Sequence, residues 1–95
     1  MKFNTGQLVE YAGIKQRKMS ILVGDKFIRE CHTAVHGELF LFIRYWGGHL
    51  MPFEVRVPNA ATWGVFLVGD QYVVERCHCF YPLKSQALYD ILDVL

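Results

Sequence analysis

The chain has 95 residues, 53% hydrophobic and 15% aromatic, a length for one domain with one packed core and a composition that excludes a disordered chain. Ten basic against nine acidic residues leave a formal charge of +1, which excludes a global field for nucleic acid and leaves that work to local patches. The three cysteines, Cys31, Cys77 and Cys79, are too few and too badly spaced for a disulfide-stapled scaffold, so reduced thiols in a cytoplasm are expected.

The N-terminal stretch MKFNTGQLVEY holds no apolar run fit for a signal peptide. QLVEY (7–11) reads as a first strand, and the polar AGIKQRK (12–18) as a loop. MSILV (19–23) and KFIREC (26–31) flank Gly24-Asp25, a pair suited to a tight turn because glycine accepts positive φ. HTAVHG (32–37) reads as a connection.

ELFLFIRYW-GG-HLMPFEVRV (38–57) is expected to form a hairpin around Gly47-Gly48. In that register Trp46 faces His49, Phe42 faces Phe53 and Phe40 faces Val55, all on one face of the sheet. Leu39, Leu41 and Ile43 make the first of these strands apolar on its other face too, which either places it centrally in a sheet or has that face covered by a helix or a partner, the C-terminal helix being the expected cover. Pro52 lacks a donor and puts the second strand at an edge or a bulge; if it is an edge, pairing with a second copy across 49–57 is open. LFLFI (39–43), the longest apolar run, is far too short to span a membrane, and no membrane association is expected.

PNAAT (58–62) breaks the pattern. WGVFLV (63–68) and QYVVERCHC (71–79) then repeat the strand, Gly-Asp, strand plan, so FLVGDQYVVERC echoes ILVGDKFIREC. The similarity stops where the strands stop, so it reads as turn chemistry used twice. From Pro82 the period becomes helical, with Leu83, Ala87, Leu88, Ile91, Leu92 and Leu95 on one side and Ser85 as an N-cap. The expected architecture is α+β, mainly β. It is a curved antiparallel sheet, or small partly open barrel, of about six strands, with one C-terminal amphipathic helix in a single domain spanning 1–95.

Three constellations carry chemistry. The tip of the central hairpin groups Arg44, Tyr45, Trp46, His49 and Met51, residue types enriched at the centres of protein interfaces. Lys15, Arg17 and Lys18 form a small basic segment. With Arg29, Arg44, Arg56, Arg76, Tyr45, Trp46 and Trp63 they make an alternative surface for single-stranded nucleic acid. Cys31, His32, His36, Cys77, His78 and Cys79 are acceptable zinc ligands; no cofactor is expected, with zinc as the alternative. They lack the Cys-x-x-Cys spacing of structural zinc sites, and neighbours on a strand point to opposite faces. No phosphate loop, nucleophile elbow, HExxH helix or paired-carboxylate motif is present.

The segments FNTGQLVEY, ILVGDKFI and FLVGDQYV each place glycine before a polar residue and a strand, and resemble the strand entries of SH3-like barrels. A compact, aromatic-rich chain without catalytic motifs also resembles the small phage-encoded proteins that block host factors, anti-CRISPR proteins among them. That resemblance implies the cytoplasm of a bacterial host. The leading expectation is a non-enzymatic protein-binding module that occludes a partner's site. A nucleic-acid-binding small barrel and a zinc-stabilised domain are the alternatives.

Overall fold

The structure, a computed structural model, describes residues 3–46 and 62–83. Seven antiparallel strands, β1 (Leu8–Tyr11), β2 (Arg17–Val23), β3 (Lys26–Ala34), β4 (Leu39–Tyr45), β5 (Trp63–Val68), β6 (Gln71–Arg76) and β7 (Phe80–Pro82), make one sheet in the order β3-β2-β6-β5-β4-β1-β7. A 3₁₀ turn, Cys77–Cys79, separates β6 from β7. The α+β class and the six-stranded barrel are therefore corrected. Among the described residues there is no α-helix, and no ladder joins the two outermost strands, so the sheet is open. The mainly β, antiparallel character stands. The helix expected beyond Pro82 falls on 84–95, outside the described residues, as do Gly47-Gly48 and the strand expected at 49–57.

The two Gly-Asp turns do what their chemistry dictates. Gly24 and Gly69 have φ of 65° and 60°, and the residues flanking each two-residue loop pair directly, Val23 with Lys26 and Val68 with Gln71. Such a loop matches the right-handed twist of its strands when its first residue adopts positive φ. The near-repeat is thus two hairpins laid side by side. The β2 strand of one pairs with the β6 strand of the other, Ile21 opposite Val73.

Side-chain alternation separates two apolar faces. The inner face carries Phe3, Val9, Tyr11, Met19, Ile21, Ala34, Phe40, Phe42, Phe66, Val73, Cys77 and Phe80, all buried. A single sheet buries one face that completely by curling. Three steps separate β5 from β7, about 14 Å if the sheet were flat, yet the rings of Phe66 and Phe80 stack at 4.0 Å. The edge strand β3 reaches over as well, where His32 meets the Phe40 ring at 5.7 Å. Its Nε2 lies 3.0 Å from both Glu38 oxygens.

β4 lies inside the sheet between β5 and β1, one of the two arrangements its apolar sides allow. Its pairing departs from the expected hairpin. Phe42 faces Phe66 on β5, while its other edge bonds to Gly6 and Gln7, and Phe40 faces Val9. The expected pairing of Phe42 with Phe53 involves a residue outside the described ones. A local glycine pair promotes a turn, but the inner aromatic cluster rewards partners far along the chain. β2 also begins earlier than expected, at Arg17, and β3 runs on through His32 to Ala34.

Candidate functional site

The outer face has an apolar cluster of its own. Leu22, Trp63, Val65 and Val74 are buried there, with Phe27, Ile43 and Trp46 packed against them. A β-bulge shapes it. The register between β4 and β5 slips between Phe42 and Arg44. An extra residue in one strand re-aims those that follow. Strict alternation sends Arg44 and Trp46 to the side of Phe42. The slip instead lets Ile43 and Arg44 line one pocket together, and Trp46 crosses the outer face to meet Phe27 at 5.5 Å, edge to face. Tyr45 goes to the inner side, stacks edge-on against Phe42 at 4.8 Å and accepts a hydrogen bond from the Phe3 N–H at 2.9 Å.

The pocket holds about 250 Å³ and is lined by Leu22, Gly24, Ile43, Arg44, Val65 and Tyr72. Tyr72 is 45% exposed and forms its rim. Guanidinium groups lie over both indoles, Arg44 over Trp46 and Arg76 over Trp63, each 5.4 Å from the ring centroid. The Trp46 indole N–H and the Arg76 Nε are buried with no hydrogen-bond partner among the described residues.

Of the expected hairpin-tip site, Arg44 and Trp46 come together on the outer face and Tyr45 turns away. His49 and Met51 lie outside the described residues. Tyr72, Phe27 and Leu22 were missed. They stand in other strands, and alternation along β6 and β2 was the one signal that puts Tyr72 and Leu22 on a common face.

The basic segment does not act as a unit. The Arg17 side chain turns to the inner face, where its Nε donates to Glu75 at 2.5 Å. Glu75 also accepts from the Arg76 N–H at 2.8 Å. Lys18 pairs across from Thr33 and, one residue on from Arg17, points to the outer face. Lys15 stays in the exposed loop, whose carbonyl accepts from the Tyr11 hydroxyl at 2.8 Å. The Glu75 ion pair holds the Arg17 guanidinium above its usual pKa.

The six zinc-ligand candidates are not gathered either. Cys31 is exposed on β3 and Cys77 is buried in the inner core. His32 is engaged by Glu38, His36 by the Gly13 carbonyl at 3.1 Å, and His78 is exposed. Among the described residues no three His, Cys, Asp or Glu side chains converge for a metal ion. Burial pushes the Cys77 thiol up to about 11. Cys79 is raised too, by burial and then by the Glu75 charge. Both shifts oppose the thiolate that nucleophilic chemistry needs. No helix among the described residues is long and apolar enough to cross a membrane.

Compared with protein-family models, curated proteins and solved structures, the chain matches none of them.

Proposed function

We propose that this chain is a non-enzymatic protein-binding module that docks a partner on the outer face of its sheet. In the manner of the small phage-encoded blockers it resembles, it acts by covering that partner's site. One observation carries the reading. The inner face already supplies a complete core, yet the outer face keeps an apolar pocket rimmed by Tyr72 and Arg44 and floored by Leu22 and Val65. An apolar depression edged by tyrosine and arginine has residue types enriched at interface hot spots.

The test is capture from the native cell with two exposed-residue variants. Tyr72→Asp alters the pocket rim, and Tyr81→Asp alters exposed β7 at the far side of the sheet. The expected result is a protein recovered by the parent chain and by Tyr81→Asp but lost with Tyr72→Asp, at unchanged thermal stability. Equal recovery by both variants places the interface elsewhere.

A further inference from the structure

We infer that the pocket's occupant is an acidic segment of a protein partner. It seats one bulky apolar side chain among Leu22, Ile43, Val65 and Tyr72 and places a carboxylate on Arg44. This rests on the outer face being a docking surface and adds the chemistry of what docks. Size comes first. An engineered apolar cavity of about 150 Å³ takes up benzene, so about 250 Å³ accommodates a leucine, phenylalanine or tryptophan side chain.

Charge comes second. Among the described residues Arg44 is the one charged residue lining the pocket, and Arg76 adds a second cation on the same face. Neither forms an ion pair among the described residues, where the carboxylates so engaged are Glu75, by Arg17, and Glu38, by His32. A guanidinium beside an apolar floor favours a carboxylate that it can grip with two donors, and it repels a basic segment. The two Gly-Asp turns lie together at the opposite rim, because β2 and β6 pair with Leu22 facing Tyr72. Asp25 and Asp70 are exposed there. The ligand's acid is thereby directed toward Arg44 and away from the turns.

The same geometry disfavours single-stranded nucleic acid. Bases bind such surfaces by stacking on open aromatic faces. Here each indole already carries a guanidinium over its ring.

The experiment pans a random dodecapeptide display library on the immobilised protein and on Arg44→Glu, an exposed position. In parallel, a labelled twelve-nucleotide oligothymidylate is titrated. The expected result is enrichment of peptides with one large apolar residue flanked by Asp or Glu. Their affinity falls about tenfold or more with Arg44→Glu and declines as salt rises. Enriched peptides that need Tyr72 but carry no acid overturn the acidic specificity while leaving the docking surface in place. Failure to enrich any peptide over the Arg44→Glu control overturns the inference. Oligothymidylate binding abolished by Arg44→Glu assigns the face to nucleic acid and overturns the docking reading with it.

Discussion

Arg17→Met tests the interior of the sheet most directly. Arg17 and Glu75 stand 58 residues apart, and their side chains are 45% and 4% exposed. Removing the guanidinium leaves a buried carboxylate with, among the described residues, the Arg76 N–H as its remaining hydrogen-bond donor. Breaking a fully buried pair in this way costs roughly 3–5 kcal/mol. The exposed half of Arg17 brings water to the pair and screens it, so the expected loss is about 2 kcal/mol. For a domain of this size that lowers Tm by roughly 8–16 °C. Replacing both partners, Arg17→Met with Glu75→Leu, removes the orphaned charge and is expected to restore most of the stability. Urea and thermal melts of the parent, both single variants and the double variant give the coupling energy directly. A loss below about 0.5 kcal/mol for Arg17→Met, or no recovery in the double variant, would refute the reasoning, since both follow from a carboxylate only 4% exposed that loses its counter-charge.

Two further outcomes are expected. Gly64→Ala destabilises the fold by about 1–3 kcal/mol. Its added Cβ would stand 3.0 Å from Cys77 Sγ and 3.1 Å from the Phe66 ring; a urea midpoint equal to the parent's contradicts this packing. Stability is also expected to fall at alkaline pH. The folded state holds the Cys77 thiol neutral up to about 11 against an ordinary 9.0. Its contribution is therefore complete below pH 9 and is lost as pH rises through 11, amounting to at most about 3 kcal/mol. Tyr11, raised mainly by burial, acts in the same direction. Denaturant melts between pH 8 and 11 check this. A Cys77→Ala variant with the same pH slope as the parent is the contrary result.

Much of the secondary structure was legible because it is decided locally. The Gly-Asp pairs impose positive φ wherever they stand, and the strands beside them alternate strongly enough to be placed within a few residues. The doubly apolar stretch at 39–43 allowed a central place or a covered second face, and the strand order decided for the first. The candidate site was legible in composition and not in arrangement. Arg44, Tyr45 and Trp46 are consecutive, and an unbroken strand sends the first and third to one side. The bulge at Ile43 sends Arg44 and Trp46 to the outer face and Tyr45 to the inner one. A one-residue slip leaves no mark in local propensity, because its stability comes from how the inner rings pack across the curl.

The sequence by itself determined a mainly β chain and its two Gly-Asp hairpins. Each of these follows from the backbone freedom of a residue or from the period of its neighbours. Tertiary structure alone decided which strands adjoin, how far the sheet curls, where β4 bulges and which thiols and charges meet. These depend on contacts between segments far apart in the chain, such as Phe66 on Phe80 and Arg17 on Glu75. Their free energy appears only once the whole inner face is packed.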